Sequence, residues 1–159
     1  MPTPTEKSIN RKISSIVELL KTCAKRKDLC EGAKIHADIL DKCLLEKSLY
    51  IPSTLIHMYA KCGELGKAKE VLQDLHVRDV VSWSALIVGY VQRRYAEEGL
   101  NCFEQMKIQG VSPDAVTFAY GLKACGSIGA LDKGMRLHDD IIHKGMIENH
   151  IVGNALIDM

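Results

Sequence analysis

The chain has 159 residues, of which 47% are hydrophobic and 26% charged, and its formal net charge is +1. This balance predicts ordinary folded structure and argues against a disordered tail, and the nearly neutral charge gives no overall field that would attract nucleic acid. No apolar stretch is long enough to span a membrane, and the cysteines form no CxxC pair of the kind that holds structural zinc.

The first predicted element is a helix that follows a short irregular terminus. Residues 1–12 contain prolines, threonines and a serine without periodicity, and we predict a flexible N-terminus there. Apolar residues then recur three and four positions apart, as on one face of a helix, at Ile13, Ile16, Val17, Leu20 and Ala24. A second helix is expected from about Leu29, so residues 13–48 are predicted to form a helical hairpin.

Three later segments continue this pattern. Gly63 separates two apolar helical stripes within residues 49–79, Gly110 and Pro113 end the second helix of residues 80–114, and Gly145 ends that of residues 115–149. Residues 150–159 begin one more helix. One hairpin cannot bury both of its apolar stripes, so neighbouring hairpins must stack. The predicted fold is therefore all-α, a right-handed α-solenoid of helix-turn-helix repeats.

The beginning of the chain recurs near its end. A shift of 102 residues carries five residues onto identical ones, namely Lys21, Cys23, Leu29, Gly32 and His36 onto Lys123, Cys125, Leu131, Gly134 and His138. A shift of 101 carries Leu55, Ile56 and Met58 onto Leu156, Ile157 and Met159. The predicted cycle is a long repeat (13–48), a short repeat (49–79) and a standard repeat (80–114), followed by a second long repeat (115–149) and a truncated short one (150–159).

Lengths and phrases together identify a family resemblance. The predicted repeats are 36, 31, 35 and 35 residues long, and they contain segments such as LIHMYAKCGELGKAKEVL, VVSWSALIVGY and LKACGSIGALDKGMRLH. In both respects the sequence resembles the pentatricopeptide repeat proteins of land plants, in the subclass that alternates standard, long and short repeats. The resemblance implies binding of single-stranded RNA in mitochondria or chloroplasts, at about one base per repeat. Members of this family often take part in RNA processing or cytidine-to-uridine editing. The resemblance therefore also implies editing cofactor proteins as further partners.

The resemblance also implies which side chains read bases. Family members use the fifth and the last residue of a repeat, which here are Ser53, Asp79, Ser84 and Asp114, with Asn154 as the fifth residue of the truncated repeat. A carboxylate only accepts hydrogen bonds and so matches the N1–H and N2–H donors of guanine. The alternative for Asp114 is a simple helix-entry or turn residue after Pro113.

Other positions are expected to hold the base faces and the phosphates. Second positions in the family pack on bases, and they are Tyr50, Val81 and Val116 in this chain. A lysine near the end of the first helix meets phosphate in family members, and Lys25 and Lys61 occupy that place, whereas Gln92 and Ser127 do not.

Two other function classes fit the sequence less well. A protein-binding scaffold of the tetratricopeptide type has a uniform repeat of about 34 residues, unlike the mixed lengths here. The zinc deaminases that accompany the family need His-x-Glu and Cys-x-x-Cys strings, and neither occurs. We therefore predict no catalytic residue, metal or cofactor. The N-terminus lacks the long Arg- and Ser-rich leader of an import signal, and the sequence is expected to be a fragment.

Overall fold

A computed structural model describes residues 1–159 and contains α-helices and turns but no strand. The nine helices are α1 (Pro4–Arg26), α2 (Leu29–Asp41), α3 (Tyr50–Cys62), α4 (Leu65–Asp74), α5 (Val80–Gln92), α6 (Ala96–Ile108), α7 (Ala115–Ile128), α8 (Leu131–His143) and α9 (His150–Asp158). The predicted all-α class is confirmed. No helix combines the length and the apolar character needed to cross a membrane.

The N-terminus differs from the prediction of a flexible segment over residues 1–12. Helix α1 begins at Pro4, because the Thr3 hydroxyl accepts a hydrogen bond from the Glu6 backbone N–H while the Glu6 carboxylate accepts one from the Thr3 backbone N–H. Proline suits the first helical position, because a backbone N–H there would have no acceptor within the helix and proline lacks that N–H. With this capping box the helix begins about two and a half turns before the apolar stripe that starts at Ile13.

The ends of the helices follow the predicted turn chemistry. Gly63 is the C-cap of α3 with φ of 92°, and Gly110 follows α6 with φ of 77°, both in the left-handed region where glycine carries no Cβ penalty. The backbone N–H of Gly63 donates to the carbonyl of Ala60. The hairpins therefore turn where the glycine positions indicated.

The chain forms two compact units, residues 1–77 and residues 78–159. In the first, α3 packs against α1, α2 and α4, around the buried side chains Leu20, Ile39, Ile51, Leu55 and Ile56. In the second, α5 and α6 pack against each other and against α7, which also contacts α8 and α9. First helices of successive hairpins are therefore direct neighbours within each unit, as α1 with α3, α5 with α7 and α7 with α9.

The self-similar residues make the same contact in both units. A Cβ added to Gly32 would lie 2.5 Å from Met58 Sδ, and one added to Gly134 would lie 2.7 Å from Met159 Sδ. In both places a glycine on a second helix leaves room for a methionine that follows in the chain, Met58 within α3 and Met159 directly after the end of α9. His36 makes a further contact between hairpins, since its Nδ1 lies 2.8 Å from the Tyr59 hydroxyl.

Candidate nucleic-acid interface

The second residue of each predicted repeat from residue 49 onward has an exposed apolar side chain. Tyr50 is 72% exposed, Val81 52% and Val116 37%, although α3, α5 and α7 otherwise bury most of their apolar residues. Ile151, 39% exposed, occupies the same place in α9 and was not named from the sequence. Single exposed apolar side chains are common on protein surfaces, but apolar side chains that recur at the same repeat position indicate a binding surface.

The two fifth-position serines are both buried, but only Ser53 hydrogen-bonds to its own helix. Ser53 is buried, and its hydroxyl donates to the backbone carbonyl of Tyr50 at 3.2 Å. Ser84 is also buried, and its hydroxyl has no hydrogen-bond partner. A base could reach the Ser84 hydroxyl only after neighbouring side chains rearrange, so its role in base reading stays a prediction.

The predicted last-position residues cap the following helix. Asp79 Oδ1 accepts a hydrogen bond from the Ser82 backbone N–H at 2.8 Å, and Asp114 Oδ1 accepts one from the Thr117 backbone N–H at 2.9 Å. Asn149, which the sequence analysis did not name, caps α9 in the same way. The helix-entry role considered for Asp114 is therefore present, and it uses one carboxylate oxygen of each aspartate.

The two predicted phosphate-binding lysines lie in one pocket. A pocket of about 370 Å³ between α1 and α3 is lined by Lys25 and Lys61, together with Lys21, Ala24, Lys27 and His57. Lys27 is the C-cap of α1 and has a left-handed backbone conformation, φ 55°. Partial burial, and secondarily the Lys61 ammonium, lower the pKa of the His57 imidazole below its usual value. At neutral pH the positive charge of the pocket therefore comes from its lysines.

Asn154 lies in a second pocket, between α7 and α9. This pocket of about 580 Å³ also contains Tyr120, Lys123, Ser127, His150 and Asp158. The Tyr120 hydroxyl accepts a hydrogen bond from Gln92 Nε2 at 3.2 Å, and Lys123 Nζ lies 5.8 Å from the centre of the Tyr120 ring. The sequence analysis did not name Tyr120, and it named Lys123 only for its match to Lys21.

The helices form no metal or disulfide site. No group of three or more His, Cys, Asp or Glu side chains is placed to hold a metal ion. All six cysteines are free thiols.

Comparisons with known proteins place these features in context. The family model described as "PPR repeat family" matches residues 78–127, and the one described as "PPR repeat" matches residues 51–80. A mitochondrial pentatricopeptide repeat-containing protein of Arabidopsis thaliana is 42% identical over 120 residues, which are 76% of this chain and 16% of the relative. A chloroplastic one from the same plant is 39% identical over 145 residues, which are 91% of this chain and 23% of the relative. The chain thus spans about a fifth of the length of these relatives.

Solved structures show the same fold. The maize pentatricopeptide repeat protein PPR10 matches with a TM-score of 0.71 at 21% identity, covering 90% of this chain and 21% of that protein. The structure of PPR10 in complex with an 18-nt psaJ RNA element matches with a TM-score of 0.73 over the same shares. This likeness confirms the predicted α-solenoid class.

Proposed function

Because this chain is a pentatricopeptide repeat protein, we propose that it binds single-stranded RNA, with bases packed against the first turns of its first helices. We further propose that its repeats alternate in the long, short and standard order. PPR10 is similar in fold and its structure contains RNA, which supports the choice of ligand.

The observation that carries this proposal is the exposed apolar register at Tyr50, Val81, Val116 and Ile151. Every nucleobase has flat faces that pack on apolar and aromatic side chains without regard to sequence. Those faces are free in a single strand, whereas stacking and pairing cover them in a duplex. The register therefore favours single-stranded RNA over double-stranded RNA as the ligand.

Polar groups beside this register would supply orientation and selectivity. Asp79 and Asp114 each use Oδ1 as a helix cap, which leaves the Oδ2 side of the carboxylate as the acceptor for a base edge. Lys25 and Lys61, which line one pocket between α1 and α3, would neutralise backbone phosphate. Two such contacts predict a weak salt dependence, with a logarithmic slope of about −1.4 for a single strand.

The names of the relatives support a cellular setting. Two relatives are described as mitochondrial and chloroplastic proteins. We infer that the chain acts on RNA in one of these organelles, as part of a factor for RNA processing or cytidine-to-uridine editing.

Fluorescence anisotropy with the full chain tests the proposal. Single-stranded RNA should bind more tightly than the same sequence in a duplex. The double variant Val81→Ser with Val116→Ser should weaken single-strand binding about tenfold, because it removes apolar contact with two bases. The matched control is Ile108→Ser with Ile142→Ser, which changes exposed residues on the second helices α6 and α8 and should leave affinity within about twofold. Equal binding of duplex and single strand, or equal effects of the two double variants, would contradict the proposal.

A further inference from the structure

A side-chain hydrogen bond between Gln92 and Tyr120 joins the first helices α5 and α7. Gln92 is the last residue of α5, and its Nε2 donates to the Tyr120 hydroxyl oxygen at 3.2 Å. A phenol can accept one hydrogen bond and donate another, so this contact leaves the hydroxyl proton for a further acceptor. Tyr120 also lines the α7/α9 pocket. The contact with Gln92 therefore holds Tyr120 as a hydrogen-bond donor to that pocket.

Lys123 supplies a second donor beside this hydroxyl. Its Nζ lies 5.8 Å from the centre of the Tyr120 ring, and its side chain lines the same pocket. A shift of 102 residues carries Glu18 and Lys21 onto Tyr120 and Lys123. The Glu18 carboxylate pairs with the Lys21 ammonium at 3.0 Å. A phenol cannot neutralise an ammonium group in this way, so the N–H donors of Lys123 remain available to a ligand.

The repeat that contains Tyr120 has no hydrogen-bonding side chain at its fifth position, which is Ala119. Tyr120 is the next residue along the helix. Ile151, one of the exposed apolar residues on which bases are proposed to pack, lines the pocket together with Tyr120 and Lys123. A base packed on Ile151 would therefore meet two donors that the fifth position does not supply.

We propose that Tyr120, positioned by Gln92, selects a base with a carbonyl group on its pairing edge, either uracil or guanine. This inference rests on the proposed function, because it takes RNA as the ligand. Two donors suit uracil O4 or guanine O6, because a carbonyl oxygen has two lone pairs. Cytosine and adenine have an amino group in place of that oxygen, and an amino group would bring donor against donor.

The other polar side chains of the pocket agree with this selection. Asp158 lines the pocket, and its carboxylate would accept a hydrogen bond from the ring N–H that lies beside the carbonyl group in both uracil and guanine. Ser127, His150 and Asn154 line it as well. Each of these three side chains can donate or accept, so they favour neither kind of base.

Two variants test the role of the Tyr120 hydroxyl. Tyr120→Phe removes the hydroxyl and keeps the ring. Gln92→Glu replaces the amide by a carboxylate, which only accepts, so the Tyr120 hydroxyl would donate to it and could then only accept from a base. The base preference should therefore reverse toward cytosine and adenine. Tyr95→Phe is the matched control, because Tyr95 is exposed and does not line the pocket.

Competition binding by fluorescence anisotropy uses the full chain and single-stranded RNAs that differ only at the base opposite residues 115–149. Uracil is compared with cytosine, and guanine with adenine, so that each comparison keeps the size of the base. The unaltered chain should prefer uracil and guanine by about fivefold, and Tyr120→Phe should reduce this preference to within about twofold. Gln92→Glu should favour cytosine and adenine, and Tyr95→Phe should retain the original preference. Because either pocket variant alone changes the preference, the test remains valid if one of them fails to fold.

Equal base preferences in Tyr120→Phe and Tyr95→Phe would overturn the inference. A lower Tm of Tyr120→Phe with an unchanged preference would also overturn it, since the Gln92 contact would then only join α5 to α7. In both cases RNA still binds and the proposed function stands. A chain that binds none of the RNAs would reject the proposed function itself, and this inference with it.

Discussion

Replacing Asp114 by asparagine separates its two roles, as a helix cap and as a reader of bases. Asp114 Oδ1 accepts hydrogen bonds from the Thr117 backbone N–H and the Thr117 hydroxyl, each at 2.9 Å. Only the oxygen of an asparagine amide can replace that acceptor. The cap therefore directs the amide NH₂ to the place that Oδ2 occupies in the aspartate. The substitution keeps the cap and exchanges an acceptor for a donor at the other end of the side chain.

The expected magnitudes follow from these contacts. Asparagine and aspartate are nearly equal N-caps, so the free energy of unfolding should change by only a few tenths of a kcal/mol. Asp114→Ala removes the cap and should lower it by about 1 kcal/mol, which corresponds to roughly 2–4 °C in Tm for a chain of this size. The preferred base opposite residues 80–114 should move from guanine toward adenine, whose N1 accepts a hydrogen bond. A matched instead of a mismatched pattern is worth about 1–3 kcal/mol, or roughly 5- to 150-fold in relative affinity.

Competition binding measures this change, with single-stranded RNAs that differ only at the base opposite this repeat. Asp79→Asn is the matched variant in the preceding repeat, because Asp79 caps α5 with the same geometry. Each variant should change preference at its own base alone. An unchanged guanine preference in Asp114→Asn, together with an unchanged Tm, would show that Asp114 is only a cap and would refute the base-reading argument.

Three further predictions concern stability. Gly99→Ala should destabilise the chain by about 1–3 kcal/mol, since the new Cβ would lie 2.8 Å from Cγ2 of the buried, rotamer-restricted Val91. Gly66→Ala is the contrasting variant, because its new Cβ would enter open space, and it should stabilise the chain by about 0.5 kcal/mol. Thermal melts of both variants test these opposite signs. Ser84→Ala removes a buried hydroxyl without a partner and should raise the free energy of unfolding by about 1 kcal/mol, so a lower Tm would show an unrecognised contact. Burial lowers the pKa of the His36 imidazole, so His36 binds a proton more readily in the unfolded chain than in the folded one. The free energy of unfolding should therefore fall as the pH drops below about 6.5. This fall should be smaller in His36→Asn, and an equal dependence of Tm on pH in the variant and the unaltered chain would contradict the prediction.

The succession of helices could be predicted from the sequence because local signals and long-range packing agree. Apolar spacing placed the hairpins, and Gly63 and Gly110 adopt the left-handed conformations that their positions indicated. The N-terminus was missed because the prediction rested on apolar periodicity, whereas α1 starts with a polar capping box between Thr3 and Glu6. That signal is visible in the sequence as a threonine followed three residues later by glutamate, with proline at the first helical position.

The candidate site was harder to predict because side-chain direction depends on packing. The resemblance to the family assigned Ser53 and Ser84 to reading positions, but it could not show that one hydroxyl bonds back to its own helix and the other is buried. The last residue of a repeat also serves as the N-cap of the next helix, a role that the sequence analysis considered only for Asp114. The side chains of Asp79, Asp114 and Asn149 all cap the next helix, so capping alone already favours Asp or Asn there.

Photo-cross-linking of the full chain to a short single-stranded RNA containing 4-thiouridine, followed by mass spectrometry of the peptides, tests the central claim most directly. RNA binding along the first helices predicts cross-links at the first turns of α3, α5 and α7, around Tyr50, Val81 and Val116, with loss of the latter two in the Val81→Ser, Val116→Ser variant. Cross-links confined to the second helices α4, α6 and α8, or unchanged in that variant, would contradict the account.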